Sequence, residues 1–275
     1  MMTEASSEMV SVEGCLSEVY GKLHKNWTEK QGDLYVFYLF IQALLTENHM
    51  FSCGAIILSD RWILTAAHCV YQKPSTMLHI TVGKTIRKML NSNSDEKTEQ
   101  RRRVLKVVCH EDYNVTSSDS DLALLKLHRP VKLGRHVVPI CLPARNSTFT
   151  QTLETVRNST VSGWGRLAQF GSTSRYLQRL QLPRVPVQEC RLHSGLNITK
   201  NMICAGFKRG GPDKTWFLTG VVSWGKGCGQ ENMYGVYTKV TNFLDWIENV
   251  KLCESRHVLP CEAYSWQPYQ TNHTC

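Results

Sequence analysis

The sequence predicts an all-β fold, a sandwich or barrels, followed by one helix near its end. Between residues 42 and 250 short apolar runs alternate with clusters of Gly, Pro, Asn and Ser; examples are 55–58, 79–82, 104–109, 122–127, 160–164, 216–224 and 235–240. Many short strands separated by turn residues form sandwiches or barrels. No helical pattern alternates with these runs, which excludes a doubly wound parallel sheet. The helix is predicted where Val240, Phe243, Leu244, Ile247 and Val250 recur at helical spacing, with polar Asn242, Asp245, Glu248 and Asn249 between them.

The chain has 275 residues, 42% of them apolar, enough for a core and too many for a wholly disordered chain. Three zones differ in texture: 1–41, 42–250 and a cysteine-containing tail, 251–275. The longest apolar stretch, 34–45, contains Gln42 and falls short of the roughly 18 residues of a membrane helix, so no membrane span is expected. The formal charge of +9 raises the question of nucleic acid. Its only dense cluster is Arg101-Arg102-Arg103, with no interleaved aromatic ladder and no nucleic-acid-binding motif. It reads as a solvated loop edge, and no nucleic-acid partner is expected.

Eleven cysteines, with no paired C-x-x-C, point to disulfides in an oxidising compartment rather than to zinc. Asn26, Asn114, Asn146, Asn158, Asn197 and Asn272 each begin N-x-S/T. With 13 Asn and 43 Ser or Thr, chance gives roughly two such triplets, so six indicate a secreted, glycosylated chain. An odd cysteine count leaves at least one thiol without an internal partner.

Two residues have unusual surroundings. His68 ends an apolar strand and sits among small residues in Leu64-Thr65-Ala66-Ala67-His68-Cys69, and Cys53 lies sixteen residues before Cys69. Asp121 opens the apolar run Asp121-Leu122-Ala123-Leu124-Leu125, where a buried carboxylate needs a hydrogen-bond donor. An imidazole N–H is such a donor, and an aspartate that orients a histidine supports acyl transfer. Taken singly, each residue has an ordinary structural explanation, a packed histidine and a turn-forming aspartate. The run Val221-Val222-Ser223-Trp224-Gly225 offers an extended edge for a peptide, or ordinary barrel packing beside a glycine kink.

The segments LTAAHC, DLALL, VPICLP, VSGWG, MICAG, VVSWGKGCG and YGVYTKV occur in that order. Together they resemble a trypsin-like (chymotrypsin family) serine protease domain across residues 42–250. Within that family RRRVLKVV and TWFLTGVVSWGKGC resemble the factor VII group of blood-coagulation proteases. The resemblance implies two antiparallel Greek-key β-barrels with a C-terminal helix, and hydrolysis of peptide bonds after Arg or Lys. It implies His68 as general base and Asp121 as its orienting carboxylate. Asp213 would stand at the base of the specificity pocket, with Ser223, Trp224 and Gly225 on the substrate strand. It also implies disulfides Cys53–Cys69 and Cys190–Cys204, and a link from Cys141 to a preceding light chain, for which Cys15 is a weak candidate. The implied partners are protein substrates or protein cofactors, with no small-molecule cofactor.

The chain departs from the family at three places. No Gly-Asp-Ser-Gly occurs anywhere; the segment that should carry the nucleophile, and the backbone amides of the oxyanion hole, is missing between Asp213 and Lys214. That segment also carries a strand, so the second barrel is expected to be incomplete. Cys228 would lose its partner with it. Ile-Val-Gly-Gly, the family's activation sequence, is absent too, and residues 1–41 show no recognisable signal peptide or light-chain module. In the family's calcium loop Lys84 replaces the first acidic ligand, although Glu99 remains; an ammonium there opposes a hard cation, so no metal is expected. The chain reads as catalytically inactive in this form, with a decoy or binding module on the protease scaffold as the alternative. The missing nucleophile segment and the missing activation sequence have the character of lost coding blocks rather than of substitutions.

Overall fold

The computed structural model describes residues 9–11, 40–87, 98–143, 157–165, 172–194, 197–206, 220–225 and 234–256. It opens with a three-residue strand, β1 (Met9–Ser11). The first barrel follows: β2 (Gln42–Glu47), β3 (Met50–Ile57), β4 (Trp62–Thr65), β5 (Leu78–Val82), β6 (Gln100–Cys109) and β7 (Ala123–Leu127). These close in the order β2-β3-β4-β7-β6-β5, every neighbouring pair antiparallel. Local chemistry sets the register. Asn48 and His49 both take positive φ (47° and 71°), the backbone of a two-residue turn whose twist matches the β2–β3 hairpin. In β6 a bulge between Val104 and Lys106 lets Val104 and Val107, three apart, both point inward while Leu105 faces solvent.

The second barrel comprises β8 (Asn158–Gly163), β9 (Gln178–Val185), β10 (Met202–Ala205), β11 (Gly220–Gly225) and β12 (Gly235–Lys239), with helix α1 (Val187–Ser194) between β9 and β10. Within the region of family resemblance these five strands form an incomplete, curled sheet in the order β11-β12-β10-β9-β8, as expected from the missing segment. β1 lies between its two ends and pairs with both. The expected terminal helix begins as a 3-10 turn, Val240–Phe243, and continues as α2 (Leu244–Arg256). Val240, Phe243, Leu244 and Ile247 are buried in the first barrel's core cluster, so the chain's last described element straps back across its first domain. Glu254 completes the strap, taking Lys106 Nζ at 2.6 Å and Lys126 Nζ at 3.0 Å. Among the described residues no helix is long and apolar enough to cross a membrane.

One expectation is corrected. Arg101–Arg103 are not a loop edge; they lie within β6, opposite Thr81, Ile80 and His79 of β5. Their side chains are partly engaged: Arg102 Nε donates to Pro130 O at 3.0 Å, and Arg101 lies 2.6 Å from His49 Nδ1. The strand signal beginning at Val104 extends backwards because β5 supplies a full backbone ladder, which outweighs the charge of the side chains.

Gly83 connects β5 to the segment leading to β6. Its φ is +73°, and a Cβ there would meet Thr98 O at 2.3 Å. Gly83→Ala is therefore expected to cost at least about 2 kcal/mol, read as a lower midpoint in denaturant. Glu254 yields a pH-dependent test. Burial pushes its carboxyl up, but the hydrogen bonds and charges of Lys106 and Lys126 outweigh this and hold it below the ordinary carboxylate range. A depressed folded-state value means stability that is present above the ordinary range and lost as pH falls through the folded value. Glu254→Gln is expected to lower stability by roughly 1–2 kcal/mol at neutral pH, with the gap to the parent closing below about pH 4.

Candidate active site

β4 delivers His68. After Thr65 the chain enters a 3-10 turn, Ala67–Cys69, and the fully buried Ala66 and Ala67 let that turn press against the barrel. Cys69 is bonded to Cys53 of β3, which ties the turn down sixteen residues from its partner. Closing a loop of that length stabilises by about 3 kcal/mol in the chain-entropy account. The His68 side chain keeps 28% exposure, while Asp121 is completely buried at the mouth of β7. Ser118 and Ser120, just before it, take positive φ (55° and 53°), a backbone that side-chain-bearing residues seldom adopt and that persists only when its surroundings enforce it.

The Asp121 carboxylate is surrounded by donors. Its Oδ1 accepts the backbone N–H of His68 at 2.9 Å, and its Oδ2 faces His68 Nδ1 at 2.7 Å. Ser223 Oγ of β11 donates to the same Oδ2 at 2.5 Å, and Thr238 Oγ1 of β12 donates to the Asp121 carbonyl at 2.9 Å. The first two donors belong to the first barrel and the last two to the second, so one residue joins them. Asp119 repeats the pattern, accepting from Thr199 Oγ1 and, at 3.1 Å, from Asn201 Nδ2. Burial, and then the Asp121 charge, push the Tyr113 phenol well above its ordinary range, so it stays protonated beside the site. Burial lowers His110 against the pull of Glu111, Asp112 and Asp119, which favours a neutral ring there.

With Nδ1–H given to Asp121, the His68 ring presents a lone pair at Nε2, the atom a general base uses. Nε2 lies 3.4 Å from Cys69 Sγ. Cys53, His68 and Cys69 are close enough together to share a metal, but both sulfurs are spent in the disulfide and supply no thiolate. The donor set at the family's calcium loop is equally unsuited: Lys84 Nζ lies 2.7 Å from Glu99 Oε2, an internal ion pair where a hard cation would need oxygen ligands.

Sequence and structure agree on His68 and Asp121 as neighbours and on Cys53–Cys69 and Cys190–Cys204 as disulfides. The Ser223 hydroxyl is buried and donates to Asp121. The backbone of Trp224 and Gly225 pairs with Val236 and Gly235, beyond a register shift after Val222. Asp213, Cys228 and Asn146 lie outside the described residues. Cys109 and Cys141 are both disulfide-bonded, so Cys109 is not the odd thiol. The free cysteine among the described residues is Cys253, in α2. Sequence reasoning missed Ser223 and Thr238 as partners of Asp121. The buried carboxylate's need for donors was a usable signal, but nothing in the linear chain says which hydroxyls reach it.

The fold and this pair agree with the comparisons. The family model described as Trypsin matches residues 38–247. Coagulation factor IX of Cavia porcellus is 36% identical over 222 residues, covering 74% of this chain and 75% of that protein. The chain belongs to the trypsin family of serine proteases, with a coagulation protease among its relatives.

Asp121→Ala would strand three donors, two of His68 and one of Ser223. It is expected to lower stability by about 3 kcal/mol, against about 1 kcal/mol for Ser223→Ala, both read from equilibrium denaturation.

Proposed function

We propose that this chain is a non-catalytic form of a coagulation-type serine protease: it keeps the oriented base and lacks the nucleophile. The observation that carries the reading is that no Gly-Asp-Ser-Gly occurs in the chain. Among the described residues the serine hydroxyl at the pair is Ser223's, and it donates to Asp121 instead of lying at His68 Nε2. No Gly-Asp-Ser-Gly exists in the chain to supply another, and the oxyanion amides would come from that same segment. A His–Asp pair without either has no group to activate and nothing to stabilise a tetrahedral oxyanion.

The remaining surface would then serve binding, as a decoy or module that engages the protein substrates or cofactors of a coagulation protease, with Asp213, Trp224 and Gly225 on the substrate side. Secretion fits the disulfides and the sequons. Asn114 and Asn197 are exposed and suit glycan attachment, whereas Asn158 is half-buried at the start of β8 and suits it less.

The test is labelling of the secreted chain with a fluorophosphonate and assay on an arginyl peptide. The expected result is no labelling, and hydrolysis at least about 10⁴-fold below an active family member and equal to that of His68→Ala. Turnover that His68→Ala abolishes would contradict the reading.

A further inference from the structure

The five strands of the second barrel leave two ends, β8 and β11, each paired on one side only, to β9 and to β12. A sheet edge is a row of unsatisfied donors and acceptors. Here that edge is not in solvent. Thr160, Val161, Ser162 and Val221 are at most 4% exposed with β1 in place. Buried backbone groups need partners, so the gap calls for a strand.

The strand present comes from outside the family region, which begins at residue 38. Met9, Val10 and Ser11 stand opposite Ser162, Val161 and Thr160 of β8, and Met9 and Val10 stand opposite Val221 and Gly220 of β11, antiparallel on both sides. One segment thus meets both edges and closes the barrel. The 28 residues from 12 to 39 can extend to at most about 3.5 Å each, ample reach for the segment to return to its own chain.

We propose that the gap between β8 and β11 is an acceptor slot for an extended peptide strand, filled in cis by Met9–Ser11, which takes the place of the strand lost with the nucleophile segment. Recognition is by main-chain hydrogen bonds on two sides, the mode of strand addition to a sheet edge, doubled. The segment suits that role: Val10 is β-branched, and the three residues contain no Pro or Gly to break the ladder. The stretch before the family region thereby acquires a structural task at Met9–Ser11.

Hydrogen exchange on the full chain tests this. The amides of 9–11 are expected to exchange at least about tenfold more slowly than those of a synthetic peptide of residues 5–15. In Val10→Pro, which removes a donor, protection is expected to fall at 9–11 and at 158–163 and 220–222, with the first barrel unchanged. Adding the unsubstituted 5–15 peptide is expected to restore protection at 158–163. Free-peptide exchange of 9–11 in the full chain would overturn the proposal, and that reading stands even if Val10→Pro does not fold. Protection of 9–11 that grows with protein concentration together with a dimer mass would place a second copy's strand in the slot and overturn filling in cis.

Discussion

The carboxylate of Asp121 is the constraint on which the rest of this structure depends. A fully buried negative charge is tolerated only when its acceptor sites are met by donors. Here the donors come from two barrels: the backbone and ring of His68 from one side, Ser223 from the other, with Thr238 on the residue's own carbonyl. Seating the anion therefore demands that β4, β7, β11 and β12 converge. It explains the left-handed backbone at Ser118 and Ser120, which swings the aspartate into the interface. It also explains why the second barrel keeps its arrangement beside the first although the family's nucleophile segment is gone.

Other contacts reinforce that convergence. Gln42 Nε2 of β2 donates to Ser162 of β8, at 2.7 Å to Oγ and 3.0 Å to the carbonyl. α2 runs from the end of β12 back to the first barrel and is held there by Glu254 between Lys106 and Lys126. The Cys53–Cys69 bond fixes the turn bearing His68, and Cys190–Cys204 joins α1 to β10. The histidine is thus oriented by parts that are independent of a nucleophile.

Much of this was legible in the linear chain. Short apolar runs marked the strands, and the spacing of Val240, Phe243, Leu244 and Ile247 marked the helix whose apolar face is buried. His68 and Asp121 were recognisable through the family resemblance carried by LTAAHC and DLALL, since each residue taken singly has an ordinary structural explanation. What escaped the sequence depends on long-range pairing. Arg101–Arg103 are strand because β5 offers them a ladder, which local charge cannot reveal. That the Ser223 hydroxyl reaches Asp121, across 102 residues of chain, is likewise invisible in the linear sequence. Met9–Ser11 has no local signal, since three residues become a strand only when two edges wait for them.

The central claim is that Asp121 holds His68 in the orientation of an acyl-transfer base. Nitrogen-15 chemical shifts of the His68 ring in the neutral form test it most directly, because each ring nitrogen reports whether it carries the proton. The account predicts the Nδ1–H tautomer, with the proton shared toward Asp121 Oδ2 at the 2.7 Å separation, and its loss in Asp121→Ala. A neutral ring protonated at Nε2 in the unsubstituted chain would contradict it.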